Sequence, residues 1–107
     1  MDYEINEFGT KYWYKESKFH RLDGPAIEFV SGTKYWYKEG NRHREDGPAI
    51  EWASGDKAWF IEGKCHRVDG PAIENVNGSK EYYYLDKQIK CNSNEEYFKL
   101  LKLKAFW

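Results

Sequence analysis

The chain has 107 residues, a formal net charge of −1 and an aromatic content of 19 %. That length bounds it to one domain with a modest core. The near-zero charge argues against general binding to nucleic acid or an anionic membrane surface, and no apolar run approaches the roughly 18 residues of a membrane span. The opening MDYEINEFGT is acidic and lacks a charged-then-apolar leader. Cys65 and Cys91 are too few for a disulfide framework and sit at different repeat offsets. A cytoplasmic chain with reduced thiols is therefore expected.

Gly9, Gly32, Gly55 and Gly78 recur with a period of 23 residues. Around them recur Lys11, Lys34, Lys57 and Lys80, then Trp13, Trp36, Trp59 and Tyr82, then Tyr14, Tyr37, Phe60 and Tyr83. Such self-similarity signals a repeat architecture. Units are expected at about 9–31, 32–54 and 55–77, with a degenerate fourth at 78–92. At the front, DYEINEF is expected to pair with TKYWYK as an incomplete first hairpin. Each unit then reads as two strands, PAIEFV and TKYWYK in the first, rich in β-branched and aromatic residues.

Between those strands lie Ser31-Gly32, Ser54-Gly55 and Asn77-Gly78, read as two-residue hairpin turns. Under that reading Val30 faces Thr33, Phe29 faces Lys34, Glu28 faces Tyr35, Ile27 faces Trp36 and Ala26 faces Tyr37. Alternation of side chains then predicts two surfaces. One carries Ile27, Phe29, Trp36, Ile50, Trp52, Trp59, Ile73 and Tyr82, and is the expected core face. The other carries Ala26, Glu28, Tyr35, Tyr37, Ala49, Glu51, Phe60, Ala72, Glu74 and Tyr83.

Ahead of each PAIE strand stands His-Arg-x-Asp-Gly-Pro: His20, Arg21, Asp23; His43, Arg44, Asp46; His66, Arg67, Asp69. Asp-Gly-Pro is turn chemistry, with Gly tolerating positive φ and Pro entering the strand where its absent N–H does least harm. Arg and Asp two residues apart are expected to pair. Equivalent histidines two strands apart lie roughly 9–10 Å from each other, too far to converge on one zinc at about 2 Å from each nitrogen. Cys65 beside His66 is the one nucleophile–base candidate, and its counterparts Phe19 and Arg42 mark a permissive site. The motif is read as structural. No catalytic residue, metal site or cofactor is expected.

The end of the chain, SNEEYFKLLKLKAFW, changes character. Ser93 followed by Glu96 is a capping box, with Glu95 and Glu96 early and Lys99, Lys102 and Lys104 later. A helix over 94–105 is predicted, within a C-terminal cap spanning 93–107, folding Tyr97, Leu100 and Leu101 onto the last hairpin. The apolar Phe106 and Trp107 are candidates to dock into a partner or a second copy. The predicted fold is mainly β: a meandering antiparallel single-layer sheet of hairpin repeats over 1–92 with this capping α-helix.

The 23-residue hairpin period with its aromatic-Lys-Gly pattern resembles MORN-type repeats. KYWYKEGNRHREDGPAIEW is more similar to the His-Arg-x-Asp-Gly-Pro-Ala variant repeated in small bacteriophage proteins. The resemblance covers about residues 9–91 and implies a non-enzymatic hairpin array. A phage origin implies a stoichiometric inhibitor of a bacterial host defence protein, acting in the host cytoplasm.

The leading functional reading is a protein-binding module using Tyr12, Tyr14, Tyr35, Tyr37 and Phe60 with Glu28 and Glu51, and Phe106 and Trp107 at the tail. A second reading is a nucleotide-sequestering protein that stacks its ligand between aromatics and the repeat arginines. A third is a lipid-surface binder as in some MORN proteins, with the recurring Lys as its stripe, diluted by Glu28, Glu51 and Glu74. A homodimer through the C-terminal helix is a further alternative.

Overall fold

The structure, a computed structural model, describes residues 2–103. Among these, fourteen short antiparallel strands precede one helix, Asn94–Leu103. The long sheet begins with Asp2–Ile5 against Lys11–Lys15, the expected incomplete hairpin. It continues through Ile27–Glu28, Lys34–Tyr35, Ile50–Glu51, Lys57–Ala58, Ile73–Glu74, Lys80–Tyr84 and Lys87–Ile89. A second hairpin row runs beside it: Lys18–Phe19 against the end of Lys11–Lys15, Tyr37–Lys38 against Asn41–Arg42, and Phe60–Ile61 against Lys64–Cys65. Each full repeat thus contributes two hairpins where the sequence reading expects one.

The register differs from the expected one by a single residue. Phe29 N–H donates to the Thr33 carbonyl at 2.9 Å and Gly32 N–H to the Phe29 carbonyl at 3.0 Å, so the loop is Val30-Ser31-Gly32. Trp52 with Asp56 and Asn75 with Ser79 close the same loop in the next units, and Asn6 with Thr10 at the front. A type I turn followed by one left-handed residue builds this three-residue connection, and Gly32 fills that position at φ 102°. Ile27 consequently faces Tyr35 and Glu28 faces Lys34. Because the side-chain period is two, one residue of slip exchanges the faces.

One face therefore carries the cross-strand row Tyr12, Ile27, Tyr35, Ile50, Ala58, Ile73 and Glu81. The other carries Lys11, Glu28, Lys34, Glu51, Lys57, Glu74 and Lys80, an unbroken alternation of opposite charges. Each such cross-strand pair contributes roughly 0.2–1 kcal/mol. The tryptophans join the charged face, so the expected Ile-Trp core face does not form. Ile27, Ile50 and Ala58 are buried on their own face, while Ala26, Ala49 and Ala72, one residue before each isoleucine and so turned to the other side, are fully buried. The backbone N–H groups of Trp13, Trp36 and Trp59 donate to those three alanine carbonyls at 2.7–2.8 Å, so small side chains sit where backbones approach closely.

The helix begins as its sequence predicts: Ser93 Oγ accepts the Glu96 N–H at 3.1 Å. Tyr97, with no exposed surface, packs with Tyr82 and Ile89 and is flanked by Tyr84, Cys91, Leu100 and Leu101. Its hydroxyl donates to the Arg67 carbonyl at 2.6 Å, with the Tyr83 carbonyl 3.1 Å away. The expected residues 104 and 105 of the helix, and Phe106 and Trp107, lie outside the described residues. Among the described residues, no helix is long and apolar enough to cross a membrane.

Candidate functional site

Two surfaces are candidates, one on each side of the sheet. On the charged side every His-Arg-x-Asp-Gly-Pro segment builds the same constellation. Arg44 stacks its guanidinium carbon 3.9 Å from the Trp36 ring centroid. Its Nε donates to Asp46 at 3.1 Å, and its Nη1 donates to the Pro48 carbonyl at 3.1 Å and to Glu51 at 3.0 Å. Arg21 repeats this with Trp13, Asp23, Pro25 and Glu28. Arg67 repeats it with Trp59, Asp69, Pro71 and Glu74. Beside Arg21, the Asp23 carboxyl is held below the ordinary carboxylate range, first by the hydrogen bond and then by the charge.

The glycine of the motif has a different role from the one its turn chemistry suggests. Gly24, Gly47 and Gly70 are absent from the positive-φ residues. A Cβ on each would instead stand 2.9–3.1 Å from the guanidinium carbon of its own arginine. Glycine leaves the room into which that pinned side chain folds back. In the fourth unit Tyr82 stands where the tryptophan would be, and the Tyr97 ring covers it at 4.8 Å, taking the place of the arginine.

Each histidine fastens one unit to the next. His20 Nδ1 accepts the Glu39 N–H at 3.0 Å, His43 Nδ1 that of Glu62 at 2.9 Å, and His66 Nδ1 that of Leu85 at 2.9 Å. Glu39, Glu62 and Leu85 open two-residue turns with φ of 46–50°. Here lies the doubly left-handed hairpin turn that the sequence reading places at Ser31-Gly32. Such conformations are uncommon away from glycine, and the histidine bond helps to hold them. His43 Nε2 is enclosed without a hydrogen bond, 3.5 Å from Glu45 Oε1.

A pH dependence follows. Burial lowers the His66 pKa below its ordinary value, so the unfolded chain takes up this proton first as the pH falls. The contribution is complete above about 6.5, the unperturbed histidine value, and is lost below it towards the folded pKa. An imidazolium cannot accept the Leu85 N–H, and one such bond is worth roughly 0.5–1.5 kcal/mol. Urea denaturation should show lower stability at mildly acidic than at neutral pH. His66→Asn, which keeps an acceptor without a titrating group, should flatten the difference. An unchanged pH dependence in that variant would assign the effect elsewhere.

The opposite face carries a connected aromatic cluster. Tyr14 contacts Tyr12 with ring centroids 6.3 Å apart, Tyr12 contacts Phe19 at 6.3 Å, and Phe19 contacts Tyr37 at 5.4 Å. Tyr37 contacts Tyr35 at 6.5 Å, and Tyr35 meets Phe29 at 5.1 Å. Four of the sequence-predicted residues, Tyr12, Tyr14, Tyr35 and Tyr37, thus come together. Phe60 lies on the same face with Arg42 across it at 5.5 Å. Glu28 and Glu51 do not join them; the register places both on the other face, bonded to Arg21 and Arg44. Phe106 and Trp107 lie outside the described residues.

Sequence reasoning leaves Phe19, Phe29 and Arg42 out of the site, because the second hairpin that orients two of them is not read. Towards the far end the row passes to Ala58 and Glu81, and Cys65 stands opposite Phe60, so the connected ring cluster lies in the N-terminal half of the array while Phe60 and Tyr83 continue the face singly.

The nucleophile candidate is shielded. Cys65 is buried, and desolvation, followed by the charges of Asp86 and Glu81, pushes its thiol up to about 12. His66 Nδ1 is engaged with Leu85. On the charged side, open crevices of ≈ 590 and ≈ 510 Å³ separate successive arginine loops, the first over Trp36 and Lys38 and the second over Trp59 and Ile61. Comparison of the chain with protein-family models, curated proteins and solved structures finds no match.

Proposed function

We propose that the protein is a non-enzymatic binding module that takes another protein onto its Tyr-Phe face. The observation that carries this reading is the connected cluster from Tyr14 to Phe29 on one side of a single-layer sheet, whose rings are half-buried or exposed. Large aromatics at the centre of an interface typically cost about 2 kcal/mol or more when truncated. The resemblance to repeats of small bacteriophage proteins supports the narrower reading of a stoichiometric inhibitor of a bacterial host protein. On the charged side, each arginine already carries two carboxylates, which compete with a phosphate for the guanidinium. The lysines alternate with glutamates, which opposes an anionic lipid surface.

The test compares wild type with Tyr35→Ala/Tyr37→Ala as baits in bacterial lysate, with both proteins folded by circular dichroism. The expected result is one stoichiometric protein on wild type, lost by at least tenfold on the double variant. Equal recovery on both baits would remove the face from the interface. Copurification of a small ultraviolet-absorbing molecule that raises the melting temperature would favour the crevices instead.

A further inference from the structure

Of the four arginines in the chain, Arg21, Arg44 and Arg67 each hold two carboxylates, whereas Arg42 holds none among the described residues. Arg42 pairs across its hairpin with Tyr37, which places both side chains on the aromatic face. It is exposed, and its guanidinium lies over the Phe60 ring. Its counterpart in the preceding unit is Phe19, which packs on Tyr37. A lone cation thus stands where the aromatic cluster meets Phe60. The acidic turn residues Glu39 and Glu62 flank this hairpin, and neither is ion-paired with Arg42.

We infer that the segment docking on this face carries a carboxylate, an Asp or Glu set among apolar side chains, and that Arg42 receives it. This rests on the protein-binding reading above and specifies the partner's chemistry. The guanidinium lies over Phe60 at 5.5 Å and holds no carboxylate of this chain among the described residues, so it keeps the capacity to receive one through two parallel hydrogen bonds. A wholly apolar segment pressed onto the face would strip water from Arg42 and offer nothing in return, so it is selected against. A basic segment would meet like charge.

The probe is a displayed library of random peptides, selected separately on wild type and on Arg42→Glu. Because Arg42 is exposed and makes no ion pair, both proteins should melt alike. Wild-type selection is expected to yield peptides with an Asp or Glu flanked by aromatic or aliphatic residues. These should lose at least tenfold in affinity on Arg42→Glu, and selection on that variant should turn to Lys or Arg at the same position. Tyr35→Ala/Tyr37→Ala, as a third bait, separates the two claims. Peptides that fail on the tyrosine variant yet bind Arg42→Glu unchanged would overturn the acidic partner and keep the face. Peptides that bind both variants unchanged would overturn both.

Discussion

Replacing Tyr97 by Ala should release the C-terminal helix and destabilise the protein by about 3–5 kcal/mol, the range for removing a buried aromatic ring. Tyr97 is fully buried, forms the centre of the cluster with Tyr82 and Ile89, and ties its hydroxyl to the Arg67 carbonyl. A helix of 10 residues is marginal alone in water, so losing this anchor should leave it unfolded. Native domains are stable by about 5–15 kcal/mol in all, so the loss is a large share. Tyr97→Phe should cost closer to 1 kcal/mol, the worth of one hydrogen bond, and keep the helix. Far-UV circular dichroism and urea titration of both variants check this. Equal, small effects would mean that the helix is an appendage and does not cap the array.

The second large effect is expected at Arg44. Arg44→Met keeps a flexible apolar stem over Trp36 but leaves the Pro48 carbonyl and the Glu51 carboxylate without their donor. The exposed arm to Asp46 contributes little, because solvent screens it. The ring contact and the less exposed arm dominate, and together suggest a loss of about 2–4 kcal/mol. Arg44→Lys should recover less than half, since an ammonium lacks the plane that lies on the indole and the second nitrogen that reaches Glu51. Arg42→Ala is the control, and at an exposed site without an ion pair it should shift stability by no more than about 0.5 kcal/mol. Urea midpoints for the three variants settle the ranking. If Arg44→Met matches Arg42→Ala, the stacked arginine does not hold the repeats together.

Much of the architecture is legible in the residues. The period marked by Gly9, Gly32, Gly55 and Gly78 places the sheet turns, and Ser93 with Glu96 marks the start of the helix. Register is a different matter. Ser31-Gly32 suits a two-residue turn and equally the end of a three-residue loop, and the choice between them moves every side chain to the other face. The second hairpin is hidden because Glu39-Gly40 carries a residue that rarely adopts a left-handed conformation. Its stabiliser, His20, stands 19 residues away, and no local pattern reveals that bond. The same distance hides the site: Tyr12, Tyr14, Tyr35 and Tyr37 stand out by composition, while Glu28 and Glu51 separate from them only once the register is known.

The division of labour between the faces can be read directly by hydroxyl-radical footprinting, because oxidation of aromatic side chains reports their contact with solvent. The bait is wild-type protein, free and bound to the partner or to the selected acidic peptide. Binding should reduce oxidation at Tyr12, Phe19, Tyr35 and Tyr37 and leave Trp13, Trp36 and Trp59 unchanged beneath their arginines. Reduced oxidation at Trp36, Trp59 and Leu22, with the tyrosines unaltered, would place the partner on the charged side and contradict the assignment of the Tyr-Phe face.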